Sequence, residues 1–422
     1  MTTGSPHVKE MVRRRTTCRL CGSGDVVLVL SLTPTPPVDA YVVEAELDTP
    51  QAAFPLDLFA CRGCGHAQLL DVVAPELLFG NYIYETSSSP GLVAHFERYA
   101  DDAISYSGAR PGGFAVDIGS NDGTLLRFFK ERGFRVLGVD PAAEIASRAT
   151  AAGIETVASF LNVPVAERIR ASHGGADIVT ANNVFAHADD MGEMADSVRE
   201  LLAPDGLFFF EVSYLVDMIE GMVFDFIYHE HLCHHSVKPM RAFLERHGLE
   251  LVDVFHIPTK GGSLRGVAQL KGGARPVGPS VEAFVEREES AGLYGLEIYE
   301  NWDAKIEQVR RTVAEQVDAV RERGGTVAAY GASATSTVLI HHFDLGDKLE
   351  FIVDDIPERQ GRFSPGHHIP VVSADAIAER SPDAILVLAW RFADMIIDKH
   401  DAYLSRGGTF LVPLPEPRVI SG

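Results

Sequence analysis

One stretch constrains the fold of this chain more than any other. Phe114-Ala115-Val116-Asp117-Ile118 is a short apolar run holding a single acid, Gly119 closes it, and Ser120-Asn121-Asp122-Gly123 leads into Thr124-Leu125-Leu126. A run of four to eight apolar residues stopped by turn residues reads as a buried strand, and a strand that turns directly into a helix is the unit of a parallel α/β sheet. The same alternation continues downstream. Strands are predicted at Arg135–Val139 (ending at Asp140-Pro141), Ala176–Thr180 and Gly206–Val212, with a helix over Gly192–Leu202 and another over 85–110. A second α/β unit begins at Thr326–Tyr330, turns at Gly331–Ser336, and continues through Thr337–Phe343, Leu349–Val353, Ala384–Ala389 and Thr409–Val412. Between the two units, residues 280–323 are charged and helical, with no strand signal.

The chain has 422 residues, too many for one ordinary core, and its 46% hydrophobic content is that of a globular protein. A formal net charge of -22 argues against a nucleic-acid partner, which needs a basic surface. No apolar run reaches the roughly 18–20 residues of a membrane span. Met1 to Arg15 is polar and basic without an apolar core, so no secretory signal is expected. A cytoplasmic, monomeric protein without nucleic-acid or membrane partners is the expectation.

Four of the five cysteines form two C-x-x-C pairs, Cys18 with Cys21 and Cys61 with Cys64, each followed by a glycine. In a chain without an export signal this spacing points to a metal rather than to disulfides. Four thiolates make a closed tetrahedral zinc site with no open position for a substrate, so a structural role is expected over residues 16–70.

The turn at Gly119 differs from the dinucleotide fingerprint G-x-G-x-x-G, which brings backbone against a pyrophosphate. Here one glycine ends the strand, an acid stands two residues before it, and Ser120-Asn121-Asp122 fill the turn. This pattern resembles class I S-adenosylmethionine methyltransferases, whose ligand carries a carboxylate, an ammonium and a sulfonium but no phosphate. Asp140, at the end of the next strand, is placed for ribose hydroxyls, though that acid alone suits NAD equally. Asn182-Asn183-Val184-Phe185-Ala186-His187 follows the fourth strand, on the edge where such sheets bind ligands.

Tyr228-His229-Glu230-His231 stands directly after the apolar run Met222–Ile227. Four titratable groups are costly to hold near a core unless they do chemistry or bind something. A His-x-His pair could hold a metal, but a third ligand is missing and Cys233 is poorly spaced. A histidine base supported by a tyrosine and a carboxylate fits better, because imidazole titrates near neutral pH. Spacing alone leaves open whether His229 or His231 is that base.

The cysteine quartet, Asn81-Tyr82-Ile83-Tyr84-Glu85-Thr86-Ser87, the Asp117–Thr124 turn, Asn182–His187, Tyr228–His231, Lys260-Gly261-Gly262-Ser263-Leu264-Arg265, Tyr330–Ser333 and Gln360–Gly366 occur together and in this order. In this combination, which spans nearly the whole chain, the sequence resembles the nucleotide-diphosphosugar 3-C-methyltransferases of antibiotic deoxysugar pathways. The resemblance implies three units: a zinc-binding module (1–80), a methyltransferase domain (81–305) and a C-terminal Rossmann-like domain (306–422) that helps hold the sugar nucleotide. It implies S-adenosylmethionine, zinc and a dTDP-4-keto-2,6-dideoxyhexose. It also implies active-site roles for Tyr82, His187, Tyr228, Glu230 and His231, with His231 as the base. Tyr84, Asp117, Gly119, Ser120, Asn121, Gly123, Asp140 and Asn182 are the expected methyl-donor contacts. Lys260, Ser263, Arg265, Tyr330, Gly331, Ser333, Ser336 and Arg359 are candidates for the sugar nucleotide, since an acidic protein must still find cations and N–H donors for its phosphates. O- or N-methylation of another small molecule, and a zinc-dependent scaffold with an idle cofactor fold, are the competing readings.

Overall fold

A computed structural model describes residues 11–79 and 85–422. The expected site residues Tyr82 and Tyr84 lie outside the described residues.

The N-terminal strands are β1 (Val12–Arg14), β2 (Val26–Thr35), β3 (Phe54–Cys61), β4 (Ala67–Leu69) and β5 (Asp71–Val73). The second C-x-x-C knuckle links β3 to β4: the Cys61 N–H donates to the His66 carbonyl and the Gly65 N–H to the Cys61 carbonyl. Gly65 has a φ of +84°, and a Cβ there would lie 2.2 Å from the Tyr294 ring, so only glycine fits.

The central sheet contains β6 (Phe114–Ile118), β7 (Arg135–Asp140), β8 (Thr156–Ala158), β9 (Ala176–Asn182) and β10 (Leu202–Ser213). After β10 come β11 (Cys233–His234), β12 (Leu249–Ile257) and β13 (Ser263–Leu270). Seven of these make one sheet in the order β12-β13-β10-β9-β6-β7-β8, with β13 antiparallel to both of its neighbours and the remaining pairings parallel. All five residues of β6 are buried, as expected for a strand covered by helices on both faces.

β11 does not join that sheet. It pairs antiparallel with β4, Cys233 opposite Gln68 and His234 opposite Ala67, and completes the sheet β11-β4-β3-β2. The chain directly after Tyr228–His231 is therefore a strand of the zinc module's sheet. His235 bridges to Tyr214 beyond the end of β10, so both sheets grip this segment.

The C-terminal strands are β14 (Val327–Tyr330), β15 (Ile352–Val353), β16 (Val371–Val372), β17 (Ala384–Val387), β18 (Thr409–Val412) and β19 (Arg418–Ser421). They form a sheet in the order β16-β15-β14-β17-β18-β19, parallel except for the edge strand β19. The helix Glu297–Glu322 precedes it and lies against both β2 and β14. Its buried residues Tyr299, Trp302, Ile306, Val309, Val313, Val317 and Val320 recur every three or four positions, the period of one helix face. The boundary expected at 305/306 falls inside this continuous helix.

One apolar core runs through all three units, with Leu56, Phe224 and Leu339 among its members. A second core, built from Phe96, Tyr99, Leu125, Phe129 and Phe209, covers the other face of the central sheet.

Candidate active site

The glycine turn after β6 is held by its own backbone geometry. Gly119, Asn121 and Gly123 have φ values of +68°, +50° and +78°, and a Cβ on Gly119 would lie 2.2 Å from Val184. The Asn121 N–H donates to Asp140 Oδ2 at 2.8 Å, and Asp140 Oδ1 accepts from the Ala142 N–H at 2.9 Å. Asp140 thus joins the turn to the end of β7. Asn121 Oδ1 accepts from the Thr86 N–H and Asp122 Oδ2 from the Ser87 N–H, both at 2.9 Å, which anchors the chain after Glu85 to this turn. Asp117 accepts from the Thr180 hydroxyl at 2.6 Å, and burial raises its carboxyl to about 7.

Two side chains on this rim keep hydrogen-bonding capacity. The buried Ser120 hydroxyl makes no hydrogen bond, and the half-buried Asn182 amide has the Tyr99 hydroxyl as its protein partner. Buried polar groups are nearly always satisfied, so these atoms suit a polar ligand lying across the carboxyl ends of β6 and β9. The residues present therefore fit S-adenosylmethionine.

The zinc residues converge as expected. One sulfur from each of Cys18, Cys21, Cys61 and Cys64 lies within 4.8 Å of the others, with Cys18–Cys64 at 3.7 Å and Cys21–Cys61 at 3.5 Å. Thiolates about 2.3 Å from one tetrahedral ion sit about 3.8 Å apart, so the quartet fits zinc with little adjustment. Cys233 stays out of it, buried on β11.

Tyr228–His231 separates into two directions. His229 is fully buried and turned toward the zinc module: its Nε2 lies 3.2 Å from the Phe54 carbonyl and its ring meets Phe54 edge-on. His231 faces the other way. Its Nδ1 donates to the Phe226 carbonyl at 2.7 Å, and its ring stacks between Tyr228, at 4.0 Å, and His187, at 5.1 Å. That hydrogen bond places the proton on Nδ1 and leaves the Nε2 lone pair as the basic atom. Burial, then the neighbouring His187, keeps the His231 imidazole neutral far below the usual histidine range. His187 is held down to about 4 by burial and then by Lys260. His231 and Asn183 share the lining of one small cavity with Ala186, Val212, Ser213, Cys233 and His234.

Glu230 is buried, and its Oε2 makes no hydrogen bond. Burial, reinforced by Asp39, raises its carboxyl to about 8. Asp39 comes from the loop after β2, and Arg359 from the C-terminal unit acts against the rise of its carboxyl. Asp39 and Lys260 are both exposed to solvent, yet desolvation shifts both, raising the Asp39 carboxyl and lowering the Lys260 ammonium. Lys260 has a φ of +55° and makes no hydrogen bond or ion pair among the described residues, and desolvation lowers its ammonium to about 8.

The expected phosphate group divides. Arg265 is occupied by Glu211 and Asp102, at 3.1 and 3.0 Å, and its guanidinium lies over the Tyr99 ring at 3.9 Å. Ser263 donates to the Thr259 carbonyl. Both are buried and bonded inside the central domain, so the expectation that they face phosphates is corrected: the register of β13 sets Arg265 opposite Glu211. In the C-terminal turn, Gly331 has a φ of +103° and packs against Ala389, Ser333 caps the helix Ala334–His342 by accepting from the Ser336 N–H, and Ser336 is buried. Tyr330 donates to Asp355 at 2.9 Å, while Arg359 lies 3.7 Å from Asp354. These five form a group of their own on the C-terminal sheet.

Sequence reasoning missed Glu211, whose carboxylate takes His95 at 2.9 Å as well as Arg265, and whose charge these partners hold below the usual carboxylate range despite burial. It also missed the fully buried Asp225, which accepts from Trp390 Nε1 at 2.9 Å and from Arg391 at 3.1 Å and fastens the C-terminal unit beside the Tyr228 segment. An acid inside the apolar run Met222–Ile227 was the available signal for it.

Known proteins match along nearly the whole length. Residues 18–79 match a family described as "Putative zinc binding domain", 92–254 a "Methyltransferase domain" and 258–415 a "C-methyltransferase C-terminal domain". The C-methyltransferase NovU of Streptomyces niveus is 37% identical over 415 residues, covering 98% of this chain and 99% of that one. The chain belongs to the C-methyltransferase family.

Solved structures overlap only partly. A magnesium protoporphyrin IX methyltransferase from Synechocystis PCC 6803 with bound S-adenosylmethionine is 16% identical, with a TM-score of 0.33 over 47% of this chain and 89% of that one. The PH0226 protein of Pyrococcus horikoshii OT3 is 15% identical, with a TM-score of 0.36 over 44% and 95%. The family models, the sheet order and the cysteine quartet give this C-methyltransferase an N-terminal zinc-binding module, a class I methyltransferase domain that uses S-adenosylmethionine, and a C-terminal Rossmann-like domain. Among the described residues no helix is long and apolar enough to cross a membrane.

Proposed function

We propose that this enzyme methylates carbon C3 of a dTDP-4-keto-2,6-dideoxyhexose, as a monomeric cytoplasmic enzyme of antibiotic deoxysugar synthesis, with His231 as the base. The observation that carries the reading is the hydrogen bond from His231 Nδ1 to the Phe226 carbonyl, which leaves Nε2 basic in a neutral, desolvated ring. Methylation at carbon needs a carbanion equivalent, and a 4-keto group acidifies the hydrogens on the adjacent ring carbons. His231 Nε2 removes the C3 proton, and the electron pair moves into the ketone as an enolate. Tyr228 and His187, stacked on either side of His231, supply O–H and N–H donors for the developing oxyanion. Glu230, protonated at neutral pH, donates to a sugar oxygen. Bound S-adenosylmethionine supplies an electrophilic methyl group, and Ser120 and Asn182 are the chain's own groups placed to fix it. Holding both ligands in one cleft converts the encounter into an oriented reaction.

Solvent exchange tests the base apart from methyl transfer. Incubated in deuterium oxide with the keto sugar and without donor, the native enzyme should exchange the C3 hydrogen, and His231→Gln should not. Equal exchange by both proteins would exclude His231 as the base. Exchange at C5, the other carbon beside the ketone, would move the methylation site.

A further inference from the structure

The strand β11 brings to the reaction site one side chain that the chemistry above leaves unused. His234 is 3% exposed, and its Nε2 has no hydrogen-bond partner among the described residues. Burial, then the neighbouring His235, keeps the ring neutral by holding its ionisation down to about 3. A buried polar atom without a partner is rare and marks a place where a polar group belongs. His234 and His231 line the same cavity, which measures about 10 Å³, the room of one water or one hydroxyl. Asn183 and Ser213 are its other polar walls, and both are fixed by backbone pairing. Ser213 ends β10 and stands opposite Ser263 of β13. Asn183 is held in left-handed backbone at a φ of +56°, uncommon outside glycine, with its N–H donating to the Glu211 carbonyl at 2.8 Å. His234 itself is placed by its pairing with Ala67 of the zinc module.

We propose that this cavity is the subsite for the hydroxyl on the carbon that His231 deprotonates, and that His234 is the residue that selects a substrate carrying it. The inference rests on the proposed function and deepens it. In the proposed sugar, C3 bears both the abstracted hydrogen and an oxygen substituent. A pose that presents the hydrogen to His231 Nε2 therefore seats the oxygen a few ångströms from the same ring. The cavity beside His231 has the size of that one group, polar walls, and a nitrogen with nothing to bond. An imidazole nitrogen donates or accepts according to its tautomer, and a hydroxyl answers either. A site that leaves such a nitrogen unmatched rejects a substrate lacking the hydroxyl far more strongly than an apolar wall rejects by size. The same subsite fixes the hand of C3. With that carbon inverted, hydrogen and hydroxyl trade places, and Nε2 meets oxygen instead of the hydrogen it must remove.

Methyl transfer from labelled S-adenosylmethionine by the full-length, zinc-loaded protein tests this with two probes, a dTDP-4-keto-2,6-dideoxyhexose and its 3-deoxy analogue. The native enzyme should favour the hydroxylated sugar about tenfold or more in kcat/KM. His234→Phe keeps an aromatic ring and removes both nitrogens. It should abolish the preference by lowering kcat/KM for the hydroxylated sugar, with the analogue little changed. Ser213→Ala should shift the preference in the same direction without asking β11 to accept a phenyl ring. Equal losses on both sugars in both variants would make these residues merely structural and overturn the proposal. A native enzyme that methylates both sugars alike, or whose preference neither variant shifts, would leave the cavity to a structural water; the inference then fails while methylation at C3 stands. If the native enzyme methylates neither sugar, the proposed function fails with it.

Discussion

Two histidines two positions apart are separated by which carbonyl each ring meets. His229 is tied to Phe54 of the zinc module, whereas His231 is tied to Phe226 and turned to His187. His231→Gln should therefore lower turnover by about two to four orders of magnitude, the usual contribution of a positioned base, while donor affinity stays unchanged by calorimetry. His229→Gln should act through stability, lowering the melting temperature more than kcat. Glu230 gives a pH prediction. Its folded carboxyl titrates near 8 against an ordinary 4.5. Below pH 4.5 the proton is bound in both states and burial of the neutral acid carries no titration cost. Between 4.5 and about 8 the unfolded chain releases the proton and the folded one keeps it, so stability falls across that window. Glu230→Gln removes this loss: its melting temperature should match the native protein near pH 4.5 and exceed it by a few degrees above pH 8, as read by calorimetric scans. At Gly119 a methyl group would meet Val184 in a left-handed backbone, so Gly119→Ala should weaken donor binding at least tenfold.

Among the elements, β11 joins the zinc module to the segment proposed to carry the base. It follows His231 by two residues and pairs with β4, the strand that leaves the Cys61–Cys64 knuckle. Removing zinc, by chelation or by Cys61→Ser, should abolish methyl transfer and lower thermal stability by several degrees, while the β6 turn still binds S-adenosylmethionine; loss of donor binding in the same sample would place zinc elsewhere in the account. This link was not legible in the sequence. Cys233-His234 is two residues long, too short for a period-two pattern, and its pairing partner lies more than 160 residues earlier. Strands with their own signal were legible. β6, β7 and β9 are apolar runs ended by Gly, Pro or Asn, and their predicted limits lie within two residues of those observed. Arg265 was misread for a related reason: a lysine-glycine-glycine-serine stretch resembles a phosphate loop, but a strand begins at Ser263 and its register turns the arginine onto Glu211. The cysteine quartet was fully legible, since its spacing alone specifies the ligand set.

On the scale of the molecule, all three units meet at the Phe226–His231 segment of the central domain: Asp39 from the zinc module helps raise the Glu230 carboxyl, and Arg391 from the C-terminal unit lies over the Phe226 ring. The joint at Asp225 holds the last of these in place. Asp225→Ala strands Arg391 and Trp390 and should cost about 3 kcal/mol or more, seen as earlier unfolding of the C-terminal unit in denaturant. The measurement that tests the central claim most directly is incubation of the enzyme with S-adenosylmethionine labelled in its methyl carbon and a dTDP-4-keto-2,6-dideoxyhexose, with the product read by mass and NMR. A labelled methyl bonded to C3 is the predicted result; a label on oxygen or nitrogen, or none transferred, would contradict the account.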